Sequence, residues 1–242
     1  MNPSSNSPQI ISNKICNEEL EVPMFTNELE KANFFSQQVA ENHQKKMLEL
    51  EISKNYSRLV PELYNKEGFK KYALEKLEKY IGPFAVVYFD AKKFKTINDT
   101  YGHANGDRVI KAIGKAIKSA SRVSPFYINN ENKNINNDVL SHQSGDEFSA
   151  LIMPMNNGTF KNKEAAEISA EIYVTRINSF LREGVEVILE DGKTLIIYPE
   201  LTAGIFVGDI NTKIDMTHDI YFDSCIHEAD IVMSKNKSPS NR

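Results

Sequence analysis

Acidic side chains stand in two places where an apolar stretch of the chain ends. Asp90 directly follows the apolar run Phe84–Phe89, and the segment Ser144–Phe148 carries Asp146 and Glu147. Burying a carboxylate at the end of a strand is costly unless a cation or a hydrogen-bonding partner compensates its charge. Clustered carboxylates also repel each other, and Mg²⁺ relieves that repulsion at an all-oxygen site whose shell is completed by substrate phosphates. If the two strands are neighbours, the sequence predicts a Mg²⁺ site between Asp90 and Asp146; taken singly, each acid is more often a cap or a solvated turn.

A mixture of helices and strands must position these acids. A continuous apolar run such as 84–89 is typical of a buried central strand, and a Gly-Asp pair between two apolar runs predicts a hairpin with Gly145 and Asp146 at its tip. Apolar periodicity predicts helices over 66–79, 104–120, 162–182 and 222–236, and strands near 139–143, 147–153, 185–189, 193–198 and 200–207. The predicted fold class is α/β, an α+β sandwich in which helices pack on a sheet.

The chain divides into three predicted parts. Residues 1–26 are polar and rich in Ser, Asn and Pro, which predicts a flexible N-terminal tail. Residues 27–58 are predicted to be a helical extension, because 27–55 contains no Gly or Pro. Its irregular apolar stripe leaves a coiled coil open without establishing one, and packing or dimerisation is its expected role. The domain proper is predicted over 59–242, with the asparagine-rich segment 127–138 as a solvated loop.

Composition excludes several classes of protein. The 242 residues are 40% hydrophobic and 26% charged, which is enough for one core with an appendage. The net charge of −4 lacks the basic footprint of a nucleic-acid binder, and no apolar run is long enough to span a bilayer. Cys16 and Cys225 are the only cysteines and form no disulfide or CxxC pattern, so a cytoplasmic location is expected.

Two motifs resemble those of one known family. Residues 89–107, FDAKKFKTINDTYGHANGD, resemble the signature D-x-D-x-F-K-x-I-N-D-x-x-G-H-x-x-G-D of the GGDEF family, and SGDEF at 144–148 resembles its namesake motif. The resemblance covers roughly residues 59–242 and implies a palm-like domain with a central, mostly antiparallel sheet flanked by helices. It also implies diguanylate cyclase activity, in which Mg²⁺, or Mn²⁺ in its place, supports the condensation of two GTP molecules into cyclic di-GMP. A homodimer would bring the two half-sites of that reaction together.

The resemblance further implies roles for the acids and for the phosphate-binding groups. Asp90 and Asp146 would bind the metal with help from the backbone carbonyl of Ala91, and Asp146 or Glu147 would assist deprotonation of the attacking 3′-hydroxyl. Positive charge and backbone N–H groups would face the phosphates. The implied phosphate contacts are the side chains of Lys95 and Lys237 and the backbone N–H groups of Lys93 and Phe94.

Guanine recognition is implied for a second group of residues. Asn98 and Asp107 would read the base, because a carboxylate accepts both adjacent donors of guanine and would be left unpaired against adenine. His103 would support this loop or contact the nucleotide. Gly145 would allow the tight hairpin tip and the close approach of a phosphate.

Several positions depart from the family pattern. Lys92 replaces the second acid of the D-x-D, Ser144 replaces the first glycine of the hairpin motif, and Asn241 stands where a phosphate-binding arginine is expected. The family's inhibitory R-x-x-D has Ile135 in place of its arginine although Asp138 is in register, so product feedback at that site is predicted to be absent. Two alternatives stay open: a degenerate GGDEF domain that binds GTP or a protein partner without turnover, and a related palm enzyme making another product.

Overall fold

The computed structural model describes residues 10–15, 18–23, 27–121, 138–155, 158–211 and 217–237. The chain separates into two compact units, Met1–Glu51 and Ile52–Arg242. Within the described residues, no helix is both long enough and apolar enough to cross a membrane.

The N-terminal unit contains a hairpin and most of a long helix. Strands β1 (Ile10–Ile15) and β2 (Glu18–Pro23) pair antiparallel. Both strands lie within residues 1–26, where the sequence predicts a flexible tail; residues with high β-propensity, such as Ile10, Ile11 and Val22, favour the extended backbone. The predicted helix is present as α1 (Glu28–Asn55). Asn27 begins it, because its side chain accepts a hydrogen bond from the Glu30 N–H at 2.8 Å.

The second unit is an α+β fold around one antiparallel sheet. In chain order its elements are α2 (Lys66–Leu77), β3 (Pro83–Ala91), α3 (Phe94–Tyr101), α4 (His103–Ala120), β4 (Val139–Ser144), β5 (Glu147–Ile152), α5 (Lys163–Leu181), β6 (Val185–Ile188), β7 (Thr194–Ile197), β8 (Leu201–Asp209) and α6 (His218–Asn236). Four strands form the sheet in the order β4-β5-β3-β8, and β6 and β7 form a separate hairpin. The predicted fold class is confirmed.

Strand β3 lies inside the sheet between β5 and β8, and both of its faces are covered. Ala85, Val87 and Phe89 belong to an apolar cluster with α4 and α5, whereas Phe84 and Val86 belong to a second cluster with α2 and α6. This alternation follows from the period of two in a strand. It also explains why the sequence of β3 is continuously apolar rather than alternating.

The structure differs from the predicted elements in a few places. Helix α3 is an additional short helix directly after β3, within a stretch whose charged and polar residues concealed it. Helix α6 begins at His218 rather than at 222, because Thr217 caps it by accepting a hydrogen bond from the Ile220 N–H at 3.4 Å. The predicted loop at 127–138 lies outside the described residues except for Asp138, as do Ile135 and Asn241.

Candidate active site

The register of the central strands brings the predicted metal ligands together. Strands β3 and β5 are neighbours, and Asp90 pairs with Glu147 across them. The backbone N–H of Ala91 donates to the carbonyl of Asp146 at 3.1 Å. Asp90, Ala91 and the hairpin tip therefore lie at the same end of the sheet, which is the geometric condition on which the predicted Mg²⁺ site depends.

The electrostatics of this end of the sheet suit a bound cation. Burial raises the pKa of the Asp146 carboxyl, and the nearby negative charge of Asp90 raises it further. Within the described residues, no group of three or more His, Cys, Asp or Glu side chains is arranged to hold a metal ion. This is compatible with Mg²⁺, which takes few protein ligands and relies on water and substrate phosphates for the rest of its shell.

Glu147 is held by two hydroxyl groups. Tyr88 donates to its carboxylate at 3.1 Å, and Ser144 donates to the same oxygen at 3.4 Å. Burial and the Glu147 charge both raise the pKa of Tyr88 well above its ordinary value, so its hydroxyl stays protonated and keeps donating. Ser144, the residue in place of the family's first glycine, therefore adds a donor to the site rather than removing one.

Lys237 places a positive charge among these acids. Its Nζ lies 2.7 Å from Asp90 Oδ2, and the carboxylate side chain is only 14% exposed. The end of α6 is fixed here because Asn236 donates to the carbonyl of Ala203 at 2.9 Å. A Cβ at Gly204 would also overlap the α6 backbone, so the glycine lets the helix approach β8 closely.

The turn between β3 and α3 has a backbone suited to anion binding. Lys93 adopts the left-handed conformation with φ of 56° and ψ of 28°, and α3 begins immediately after it without a side-chain cap. Uncapped N–H groups at the start of a helix are available to a phosphate. The ammonium of Lys92 pairs with Glu200 at 2.9 Å and lowers the pKa of that exposed carboxyl.

The predicted guanine site contains an unpaired acceptor. Asn98 Oδ1 is buried and has no hydrogen-bonding partner within the described part of the chain. A Cβ at Gly106 would overlap this oxygen, so glycine allows α4 to pass close to the Asn98 side chain on α3. A buried polar atom without a partner is costly, and a donor on a bound base would satisfy it. His103 is exposed at the first residue of α4, and Asp107 is exposed four residues further along the same helix.

The structure thus gathers the predicted residues into two groups. Asp90, Ala91, Asp146, Glu147 and Lys237 meet at the sheet end, and Asn98 lies against α4 near the start of that helix. The remaining predicted side chains, Lys95, His103 and Asp107, are exposed on α3 and α4. Their roles, like those of the two groups, stay predictions.

A cavity of about 370 Å³ adjoins α3. It is lined by residues of α3 such as Thr96 and Tyr101, by Lys92 and Lys93 before that helix, and by the segment 197–200. The cavity therefore borders the turn at Lys93, but Asp90, Asp146 and Glu147 do not line it.

Two buried residues of this region escaped the sequence interpretation. Asn105 donates to the carbonyls of Tyr101 and Ile188 at 2.7 and 2.6 Å, and it accepts from the Ile188 N–H at 2.9 Å. His142 lies in β4 and contacts the hairpin tip. A polar side chain inside an otherwise apolar helix face or strand was the only signal, and its partners are distant in sequence.

Comparison with known proteins identifies the family. The model of the diguanylate cyclase GGDEF domain matches residues 60–241, so the chain belongs to the GGDEF family. Diguanylate cyclase TpbB of Pseudomonas aeruginosa is 27% identical over 63% of this chain and 30% of its own length. Diguanylate cyclase A of Treponema denticola is 29% identical over 76% of this chain and 42% of its own length. The chain therefore spans less than half the length of these curated relatives.

Solved structures agree with the fold. The GGDEF domain of TpbB from Pseudomonas aeruginosa superposes with a TM-score of 0.53 at 25% identity, covering 75% of this chain and 88% of that one. The coiled coil and GGDEF domain of DgcB from Caulobacter crescentus gives a TM-score of 0.61, covering 86% of this chain and 93% of that one. At 15% identity the second similarity shows the fold alone. The resemblance seen in the sequence is confirmed.

Proposed function

We propose that this chain is a diguanylate cyclase, which condenses two molecules of GTP into cyclic di-GMP and two pyrophosphates. The observation that carries the proposal is the antiparallel pairing of β3 with β5, which places Asp90 and the Asp146–Glu147 pair at one end of the sheet. The matched family model and the diguanylate cyclases among the relatives support the same activity.

Asp90, Asp146 and the carbonyl of Ala91 would hold Mg²⁺, with Mn²⁺ as a substitute. Burial and the charge of Asp90 raise the pKa of Asp146, so a bound cation would stabilise its ionised form. The ammonium of Lys237 beside Asp90 supports the same expectation, because it is a positive charge held by these acids. When bound, the ion would supply Lewis-acid polarisation of the phosphate and favour the ionised form of the 3′-hydroxyl.

The protein's own groups would orient the nucleotide. Asp107 would accept from the two donors of the guanine edge, and the unpaired Asn98 Oδ1 would accept a further hydrogen bond. The N–H groups of Lys93 and Phe94 would bind the phosphates at the start of α3, because the helix has no side-chain cap there. Lys95 would add positive charge as the transition state forms.

Proton transfer and phosphate approach would occur at the hairpin tip. Asp146 or Glu147 would take the proton of the 3′-hydroxyl, and Tyr88 keeps Glu147 oriented for this role. Gly145 has a φ of +51°, and among the described residues other than its two chain neighbours no atom lies within 4 Å of the position its Cβ would take, so the tip would admit a phosphate. Lys237 would exchange its contact with Asp90 for a phosphate oxygen, since both partners are anionic.

The reaction requires two half-sites, which a homodimer would supply. Each half-site would align one 3′-hydroxyl with the α-phosphate of the nucleotide in the other, and a twofold axis produces that arrangement. Helix α1 offers a surface for pairing, because apolar side chains such as Leu29 and Val39 are 70% and 68% exposed. Deletion of 27–55 is expected to reduce both dimer formation and rate.

A second candidate function is nucleotide or partner binding without turnover. The ion pair between Lys237 and Asp90 favours it, because Asp90 already has a cationic partner within the chain. Lys92 in place of the second acid of the D-x-D also reduces the negative charge next to Asp90. In this case GTP would bind with an affinity that does not depend on Mg²⁺.

Product analysis distinguishes the two functions. The purified chain is incubated with GTP and Mg²⁺, with ATP in a parallel reaction, and the products are separated by chromatography. The proposal expects cyclic di-GMP from the parent, none from Asp146→Ala, and parental yield from Asp191→Ala, the same substitution in the exposed β6–β7 turn. No product at concentrations that force dimerisation, together with Mg²⁺-independent GTP binding, would refute the cyclase and support the binding domain.

A further inference from the structure

A buried histidine joins the segment after α1 to the tip of the hairpin that carries Asp146. His142 Nε2 lies 3.0 Å from the carbonyl oxygen of Gly145, and its Nδ1 lies 2.8 Å from Ser57 Oγ. The ring packs against Phe148 with 4.9 Å between centroids. Ser57 follows the last residue of α1 by two positions.

The partners of the ring determine which nitrogen carries the proton. A carbonyl oxygen can only accept, so Nε2 must donate to Gly145. In the neutral ring Nδ1 is then an acceptor, and the Ser57 hydroxyl donates to it. Ser57 Oγ itself accepts from the Val60 N–H at 3.1 Å, which leaves its proton free to point at His142. Each donor therefore faces an acceptor along the whole series of hydrogen bonds, which runs from the Val60 N–H through Ser57 and His142 to the Gly145 carbonyl.

The atom that His142 holds controls the backbone of Asp146. The Gly145 carbonyl belongs to the peptide unit that leads into Asp146, and the next carbonyl, that of Asp146 itself, accepts from the Ala91 N–H at 3.1 Å. These two contacts fix the peptide units on both sides of the Asp146 Cα. The hairpin needs such support, because the β4–β5 register shifts between His142 and Ser144.

We propose that His142 is a positioning residue for Asp146. Its Nε2–H holds the Gly145 carbonyl and so orients the Asp146 carboxylate for the cation and the nucleotide, while Ser57 keeps the ring in the required tautomer. Groups that orient a metal ligand commonly change metal affinity about 10- to 100-fold when they are removed. The proposal rests on the proposed function only in taking Asp146 as a metal ligand.

Two substitutions separate this role from simple core packing. The amide nitrogen of a glutamine at position 142 reaches the place of Nε2, whereas that of an asparagine reaches only the place of Nδ1. His142→Gln can therefore keep the bond to Gly145, and His142→Asn can keep only the bond to Ser57. Both remove the ring from Phe148, so a packing role would affect the two variants alike.

The test measures Mn²⁺ binding to the full chain in the presence of GTP by electron paramagnetic resonance, with urea unfolding of each variant beside it. We expect His142→Asn to weaken Mn²⁺ binding at least about tenfold and His142→Gln to stay within about threefold of the parent. Ser57→Ala, which leaves the tautomer unselected, should fall between them. In the metal-free chain, amide hydrogen exchange at 144–147 should accelerate in His142→Asn and not in His142→Gln.

Equal Mn²⁺ affinities for the Asn and Gln variants would overturn the proposal, as would losses of affinity that simply follow the losses of urea stability. A parent chain that binds Mn²⁺ but makes no cyclic di-GMP would refute the proposed function alone, because the comparison of the two variants still decides the role of His142. A parent chain that binds no Mn²⁺ would refute both.

Discussion

The close approach of Asn98 to Gly106 predicts that the effect of Gly106→Ala on stability changes sign when the amide of Asn98 is removed. An alanine at position 106 would place its Cβ inside van der Waals distance of Asn98 Oδ1, 3.0 Å from Asn98 Cγ and 3.3 Å from Phe94 Cζ. The amide of Asn98 must therefore move or the helices must separate. Removing the Asn98 amide by Asn98→Ala removes two of these three contacts.

The magnitudes follow from two opposing effects. Alanine is favoured over glycine inside a helix by up to about 1 kcal/mol, and position 106 lies in α4. Overpacking against Asn98 costs about 1–3 kcal/mol. Gly106→Ala should thus lower the free energy of unfolding by up to about 2 kcal/mol in the parent and raise it by up to about 1 kcal/mol in Asn98→Ala, a coupling energy of about 1–3 kcal/mol.

Urea unfolding of the parent, the two single variants and the double variant measures this coupling. Displacing the Asn98 amide should also weaken GTP binding about 2- to 10-fold, the equivalent of one hydrogen bond of about 0.5–1.5 kcal/mol. Ala104→Gly, a substitution on the exposed side of the same helical turn, serves as the control for helix propensity. It should change stability without changing GTP affinity.

Gly106→Ala could instead change the free energy of unfolding equally with and without the Asn98 amide. That result would refute the reasoning, because the added Cβ would then not overlap the Asn98 side chain. Unchanged GTP affinity in Gly106→Ala, with the coupling present, would show instead that the buried oxygen of Asn98 does not contact the base.

Three further predictions concern the acids of the candidate site and the hydrogen bonds between Asn105 and Ile188 of β6. Lys237→Met removes the ammonium from Asp90 and should tighten Mn²⁺ binding in the absence of nucleotide roughly threefold to tenfold, while slowing turnover. An unchanged Mn²⁺ affinity would contradict the ion pair. Folding raises the pKa of Asp146 above its ordinary 3.8, so the folded state favours the protonated acid. The metal-free parent should therefore lose stability relative to Asp146→Asn as the pH rises from about 4 to 7. Urea unfolding at both pH values measures this loss, and a difference independent of pH would count against it. Asn105→Ala breaks three hydrogen bonds and should lower the free energy of unfolding by about 1–3 kcal/mol. Amide hydrogen exchange at Ile188 should become faster, and unchanged exchange there would contradict the role of Asn105 in holding β6.

Local patterns in the sequence were sufficient for most of the elements and for the choice of candidate residues. The apolar run 84–89, the Gly145–Asp146 pair and the periodicity of 104–120 predicted β3, the β4–β5 hairpin and α4 with small errors at their ends. These signals are local because side-chain periodicity and turn geometry depend on neighbouring residues. Helix α3 was missed since charged and polar residues, rather than an apolar stripe, dominate it.

The motifs also determined which residues are candidates for the site. Asp90, Asn98, Asp107 and Asp146 stand out by type and spacing, and all four lie within residues 60–241, the part of the chain that matches the GGDEF family. Lys92 and Ser144 are recognisable as departures from the motifs, but the consequences of these two residues are not visible in the sequence. The partner of Lys92 is Glu200, and Ser144 donates to Glu147.

Only the tertiary structure decided how distant residues meet. Lys237 reaches Asp90 across 147 positions, His142 reaches Ser57 across 85, and Asn105 reaches Ile188 across 83. No local pattern encodes such pairs, because they result from the register of β3 between its two neighbours and from the packing of helices on both faces of the sheet. The sequence therefore determined the chemistry that is available to this protein, and the strand register and helix packing decided which of those groups can act together.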